Sequence, residues 1–285
     1  MLLEGNLKGI QHLGIAVVDI AETRAWYIDT LGFELIHETQ LRKEEGTIFI
    51  AFLKRGDLVL ELFQLAGDAL DEVRNRTHGN IDHFALDVLS IATALVDTLS
   101  HGGELDPATP IGPVDIPQFW SSGVSYFFLS SANGEKVELN QRLDLDEGRR
   151  NENLNGWSHL GIPVTHLSRT EEFYERFGFR RVMRAAVPAG QEEIRVSMME
   201  NNGFILEFYQ PLPPDLFGIR GRNDGLIDHF AMDVADIEQA FDEVKAAGLQ
   251  TLETAPVELP FWENGTKYFC IRGPDGEKIE FNQIL

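Results

Sequence analysis

The feature that most constrains this chain is that much of it is written twice. IDHFALDV at Ile81–Val88 returns as IDHFAMDV at Ile227–Val234, and LVLELFQ at Leu58–Gln64 returns as FILEFYQ at Phe204–Gln210, both 146 residues on. HLGIAV (His12–Val17) returns as HLGIPV (His159–Val164), and NGEKVELNQ (Asn133–Gln141) as DGEKIEFNQ (Asp275–Gln283), at spacings of 147 and 142. Spacing this even implies duplication with small loop changes, and hence two similar domains. The length of 285 residues agrees with that number. The expected division is a first domain over residues 1–145, a linker over 146–156 and a second domain over 157–285. The join falls in the polar stretch LDLDEGRRNENLNG (Leu143–Gly156).

Each half divides again. His12–Val18 and Asp82–Val88 both read as a strand opening with His and running into a helical segment. Asp19 with Glu22, and Ser168 with Glu171, have the spacing of a capping box at a helix start. Gly32, Gly102, Gly178 and Gly248 stand where a helix ends on a left-handed residue. Short β-rich runs such as TIFIAFLK and LVLELFQ follow. The unit is β-α-β-β-β, used four times. The fold class is α+β, with paired units forming a curved, mostly antiparallel sheet around a cleft.

Strand alternation sorts the side chains by face. In IQHLGIAV, Ile10, His12, Gly14 and Ala16 share one face, opposite Leu13, Ile15 and Val17. Glu61 lies within LVLELFQ, apolar on both faces, where a carboxylate is costly without compensation. Lys136, Glu138 and Asn140 share a face against Val137 and Leu139. The candidate metal ligands are therefore His12, Glu61, His83 and Glu138, and their copies His159, Glu207, His229 and Glu280. Two imidazoles and two carboxylates suit a divalent ion such as Ni, Co, Zn, Mn or Fe. A lone strand histidine is more often a hydrogen-bonded structural residue than a ligand, and Lys136, Glu138 and Asn140 alone read equally as a solvated strand face. The duplication is selective, however: Asp224 matches His78, Ala247 matches His101 and Asp19 matches His166, while His37 has no His counterpart. Only the strand histidines recur as pairs, with their glutamates. Phe119–Trp120 and Phe261–Trp262 recur as well, fitting either an aromatic substrate wall or ordinary core packing.

Charge narrows the partners. There are 46 acidic against 24 basic side chains, a formal net charge of −22. Such a field repels phosphate backbones, so nucleic acid is not expected. No apolar run approaches the ~20 residues of a membrane span and no targeting segment is recognised, so a cytoplasmic protein is expected. Cys270, the single cysteine, reads as a packing thiol. The expected partner is a small-molecule substrate, with the chain a monomer or homodimer.

These motifs resemble the vicinal oxygen chelate superfamily, which contains glyoxalase I, bleomycin resistance proteins and extradiol dioxygenases. The residues that carry the resemblance are HLGIAVVDIAETRAWYIDTLGFEL, IDHFALDV and NGEKVELNQ with their copies, and it covers essentially the whole chain. The order His, Glu, His, Glu is similar to bacterial glyoxalase I. The dioxygenase-type sites have two histidines and one carboxylate, without the fourth-strand ligand that Glu61 and Glu207 would supply. The resemblance implies a metal-dependent lyase or isomerase acting through a metal-bound enediolate on a small α-hydroxycarbonyl or thioester-type substrate. Glu138 and Glu280 would then be the catalytic, proton-shuttling bases. Glyoxalase I enzymes usually carry Arg shortly after the first ligand and Gly before the second His. Here apolar residues around Ala16 and Val164, and Asp82 or Asp228, stand there, so a glutathione hemithioacetal is not implied. An extradiol-type Fe(II) dioxygenase, an epimerase and a non-catalytic binding protein of the bleomycin-resistance type are the alternatives on the same scaffold. Whether the half-sites meet within one sequence half or across the two is left open by the spacing.

Overall fold

The computed structural model describes residues 1–145 and 154–285. The βαβββ unit is present four times. The first comprises β1 (Leu7–Ala16), α1 (Ile20–Leu31), β2 (Glu34–Lys43), β3 (Gly46–Arg55) and β4 (Leu58–Gln64). A short α2 (Asp68–Arg74) leads to the second unit: β5 (His83–Val88), α3 (Ile91–Ser100), a two-residue β6 (Glu104–Leu105), β7 (Val114–Ile116), β8 (Val124–Ser130) and β9 (Lys136–Arg142). The third has β10 (Leu154–Pro163), α4 (Leu167–Glu175), β11 (Arg180–Ala189), β12 (Glu192–Asn201) and β13 (Phe204–Gln210). After α5 (Asp215–Gly218), the fourth has β14 (Ile227–Val234), α6 (Ile237–Ala246), β15 (Val257–Leu259), β16 (Thr266–Arg272) and β17 (Lys278–Ile284). Of the expected linker, residues 146–153 lie outside the described residues, and 154–156 open β10. Among the described residues no helix is long and apolar enough to cross a membrane.

The α+β class and the two curled, mostly antiparallel sheets are as expected. The assignment of units to sheets is the finding. One sheet runs β15-β16-β17-β14-β1-β4-β3-β2 and joins the fourth unit to the first. The other runs β11-β12-β13-β10-β5-β9-β8-β6, with β7 on β8, and joins the third unit to the second. The seams are the antiparallel pairs β1–β14 and β10–β5. Each sheet thus takes one unit from each sequence half.

The side chains that alternate away from the candidate ligands make one continuous core. Leu13, Leu60, Phe84, Leu139, Leu160, Phe208, Phe230 and Phe281 are joined there by Tyr27 of α1, Ala94 of α3, Tyr174 of α4 and Ala240 of α6. Burying a side chain of this size contributes roughly 1.5–3 kcal/mol.

Local sequence signals account for most helix ends. Asp19 caps α1, accepting from the Ala21 and Glu22 amides, and Gly32 closes it at φ 65°. The Ser168/Glu171 capping box is not formed. His166 caps α4 instead, its side chain accepting from the Arg169 amide. Glu171 is drawn away because Ser197 donates to it at 2.6 Å and Arg184 at 2.5 Å.

Candidate metal centres

The eight candidate ligands meet as two groups of four, each built across the sequence halves. His12 and Glu61 of the first unit face His229 and Glu280 of the fourth. His83 and Glu138 of the second face His159 and Glu207 of the third. In the second centre all four donor atoms lie within 4.8 Å of one another, and all four residues are buried. In the first centre His12, His229 and Glu280 form such a group. Glu61 reaches it through His12 Nε2 at 3.0 Å and His229 Nε2 at 3.6 Å.

Strand irregularity aims the first ligand of each centre. The β1–β14 register shifts between Ile10 and His12, and the β10–β5 register between Trp157 and His159. A bulge of this kind redirects a side chain. It also corrects the simple alternation: Ile10 packs on the core, whereas Gln11 lines the cavity beside His12.

The HLG motif has a steric reason. A Cβ on Gly14 would lie 2.0–2.4 Å from ring atoms of His229, and one on Gly161 equally close to His83. Each glycine leaves the space in which the partner unit's imidazole sits.

Every Nδ1 is engaged, which turns Nε2 to the centre. The His83 Nδ1 pairs with Asp82 at 3.0 Å and that of His229 with Asp228 at 2.9 Å. Those of His12 and His159 meet Gln11 Oε1 at 3.0 Å and the Ser158 hydroxyl at 3.1 Å. The aspartates are anchored in turn: Lys136 donates to Asp82 at 2.7 Å, and Lys278 (2.7 Å) and Arg76 (2.8 Å) donate to Asp228. Such outer partners fix ring orientation and raise ligand basicity. Asn140 and Asn282 each donate to one oxygen of Glu138 and Glu280, at 2.7 Å. Asp82 and Asp228 are positioning residues that ligand chemistry alone does not single out, although the Asp-His pair recurring in both IDHF motifs is their signal.

Electrostatics separates the carboxylates. Burial raises Glu61, but hydrogen bonds and charge from His12 and His229 outweigh it and bring the carboxyl to about 2. Glu207 is brought to about 2 in the same way by His159 and His83. Burial pushes Glu280 above its ordinary range, against the pull of His229 and His12 and with the like charge of Glu61 adding to the rise. Burial lowers the imidazoles, yet the surrounding carboxylates more than reverse it, lifting His83 to about 9 and His159 and His229 to about 10.

The residues fit a divalent ion on three observations. Four donors converge, two carboxylates balance a double positive charge, and the buried His83 Nε2 and His159 Nε2 have no well-directed hydrogen bond. Their nearest carboxylate oxygens, on Glu138 at 3.4 Å and on Glu207 at 3.0 Å, approach off the hydrogen-bond direction.

The first centre opens on a cavity of about 360 Å³. Phe52, Phe63, Phe261 and Trp262 wall it, with Lys43 and Gln11 among its polar residues. Trp262, at φ 62°, stacks on His37 with ring centres 4.6 Å apart. Phe261 and Trp262 line this cavity, while Phe261 also packs with Ile50 and Phe52, and its copy Phe119 packs in the buried cluster of Val124, Met183, Val196 and Met198.

The family model of the Glyoxalase/Bleomycin resistance protein/Dioxygenase superfamily matches residues 9–113 and 156–281. The chain belongs to this superfamily. Two uncharacterized Bacillus subtilis proteins are similar to parts of it. YwkD is 32% identical over 101 residues, covering 35% of this chain and 77% of YwkD. YwbC is 28% identical over 127 residues, covering 44% of this chain and 94% of YwbC. Among solved structures, glyoxalase I from Zea mays superposes with a TM-score of 0.72 at 19% identity, over 98% of this chain and 94% of that one. A putative dioxygenase from Bacillus subtilis gives 0.67 at 14% identity, over 98% and 86%. At these identities the likeness is one of fold. The superfamily includes enzymes such as glyoxalase I and the dioxygenases, so the scaffold alone does not name a reaction.

Proposed function

We propose that the protein is a metal-dependent lyase or isomerase of the glyoxalase type, acting on a small α-hydroxycarbonyl or thioester-like compound with an apolar substituent. The observation that carries this reading is geometric: His12, Glu61, His229 and Glu280 converge in the lining of one cavity, together with Phe52, Phe63, Phe261 and Trp262. Glu61 lies against both imidazoles, 3.0 Å from His12 Nε2 and 3.6 Å from His229 Nε2, which suits an anionic ligand. Glu280, with one oxygen held by Asn282, is assigned the base.

A bound divalent ion would polarise the substrate carbonyl and stabilise negative charge developing on it. His12, Glu61, His229 and Glu280 are the residues that would hold it. Asn282 keeps one Glu280 oxygen in place, 2.7 Å from its amide nitrogen, while the other oxygen lies 3.5 Å from His229 Nε2. That second oxygen takes the proton from the carbon beside the carbonyl and returns it to the neighbouring atom. The Phe52, Phe63, Phe261 and Trp262 wall excludes water and seats the apolar substituent. At the other centre Glu138 has the same relation to Asn140, so the same role falls to it wherever substrate can enter.

The test is solvent deuterium exchange at the α-carbon of α-hydroxycarbonyl compounds, with protein reconstituted in Ni, Co, Zn or Mn. Exchange without net redox change, lost in Glu280→Gln, is expected. Oxygen uptake with catechols in place of exchange would overturn the reading, as would the absence of stoichiometric metal after purification without chelators.

A further inference from the structure

The two centres share their ligands but differ in what surrounds them. On the strand beside the last carboxylate, Cys270 is the cross-strand neighbour of Glu280, and Phe128 holds the same place beside Glu138. Cross-strand neighbours point to the same face. Phe128 therefore stands on the ligand face, its ring centre 5.1 Å from that of His83 in an edge-on arrangement. Lys136 lies over it, 5.5 Å from the ring centre. Four residues earlier on the same face, Thr266 at the first centre is replaced by Val124 at the second. Val124 packs with Phe119, Met183, Val196 and Met198 in a single buried apolar cluster. The 360 Å³ cavity has Cys270 and Thr266 in its lining. The other described cavities, of 290 to 550 Å³, include none of the second centre's ligands in their linings.

From this we infer that the two centres have divided roles. The first takes the substrate, and the second is a closed site that holds its ion for stability, with Phe128 filling the room a substrate would need. Closed sites with a full protein ligand set are the structural kind, while working sites keep an open position. The tight grouping of all four donors in the second centre, against three plus Glu61 in the first, follows the same division. Phe128 and Cys270 are thereby the residues that decide which centre admits an organic ligand. The inference rests on the proposed metal-centre reading but not on the reaction assigned to it.

The test uses the full-length chain loaded with two equivalents of Co(II) and titrated with benzohydroxamate. Its two oxygens chelate a divalent ion and its phenyl ring needs space. The readout is the cobalt visible spectrum. One benzohydroxamate per chain, changing about half of the cobalt signal, is expected for the wild type. His229→Ala should leave a cobalt band that does not respond to the probe. Phe128→Cys should admit a second equivalent, and Cys270→Phe should exclude the first. Two equivalents bound by the wild type, or a response from the cobalt left in His229→Ala, would overturn the division of roles. Absence of any cobalt band would instead refute the metal-centre reading beneath it. A clean stoichiometry of one without α-carbon exchange would leave this inference standing and remove the proposed reaction.

Discussion

Replacing Gly14 by Ala tests the way the two sequence halves are joined. The added methyl would stand 2.0–2.4 Å from Cε1, Nε2 and Nδ1 of His229. Carbon atoms in contact sit at about 3.5–4.0 Å, so the ring has to retreat by roughly 1.5 Å. It has little room to do so, being tied to Asp228 at Nδ1 and stacked on Phe63. Ligand distances tolerate only about ±0.2 Å, so a shift of that size takes Nε2 out of the first centre. Overpacking of this kind costs about 1–3 kcal/mol. At roughly 2–4 °C per kcal/mol for large domains, the metal-free protein should melt about 2–12 °C lower. The first centre should lose more than the ~10–100-fold in metal affinity that follows from disturbing an outer partner alone. Gly218→Ala, where no heavy atom lies within 4 Å of the added carbon, is the control and should stay within about 0.5 kcal/mol. Calorimetry and cobalt titration read both effects. If Gly14→Ala bound two ions with unchanged affinity, the nesting of His229 against β1 would be refuted. The pairing of the first unit with the fourth would fall with it.

Three further outcomes follow from the same geometry. Asp228→Asn and Asp82→Asn should each weaken metal binding roughly 10–100-fold, the first only at the open centre and the second only at the closed one, by cobalt titration. The imidazoles of His83, His159 and His229 are raised from an ordinary 6.5 to about 9, 10 and 10 in the metal-free fold. The stability they contribute is complete below pH 6.5 and is lost as pH rises through 9 to 10. The melting temperature of metal-free protein should accordingly fall from pH 7 to 10, while the gain on adding metal grows, because binding releases those protons; a flat profile would contradict the charged cluster. Tyr174→Phe removes the 2.9 Å hydrogen bond to the fully buried Glu277 and should cost about 1–3 kcal/mol by denaturant titration.

The ligand set was legible because polar residues inside strands are the ones packing does not require. Duplication of the core alone would repeat Leu60 and Phe84, but it gives no reason to keep His12, Glu61, His83 and Glu138 while letting His78, His101 and His166 change. The repeated unit and the helix ends at Gly32, Gly102, Gly178 and Gly248 were legible for the same local reasons, all four adopting positive φ. Alternation failed at Ile10 because a bulge is a property of two strands in register, and β14 lies more than 200 residues away. The capping box at Ser168 failed because Glu171 had stronger partners in Ser197 and Arg184, on strands that local spacing does not see. The aspartates that orient the second histidines were written in plain view. Their role lies in the contact each makes with a ring Nδ1, which residue spacing alone does not give.

Joining units across the halves has a chemical consequence that duplication alone would not. Each sequence half supplies one His and one Glu to either centre, so neither half contains a complete ligand set. The two seams, β1 on β14 and β5 on β10, bring His12 Nε2 to 3.3 Å from His229 Nε2 and set His83 against His159 with ring centres 5.6 Å apart. Two imidazoles placed so, with two carboxylates beside them, gain least as a proton-sharing cluster and most around a cation. A cation at either seam therefore ties the first half of the chain to the second, and binding to the folded state alone stabilises that junction by mass action. This gives a duplicated chain a reason to keep both ligand sets even where only one opens on a cavity. The closed centre retains its value in holding the seam, while the aromatic wall around the open one is free to follow the substrate.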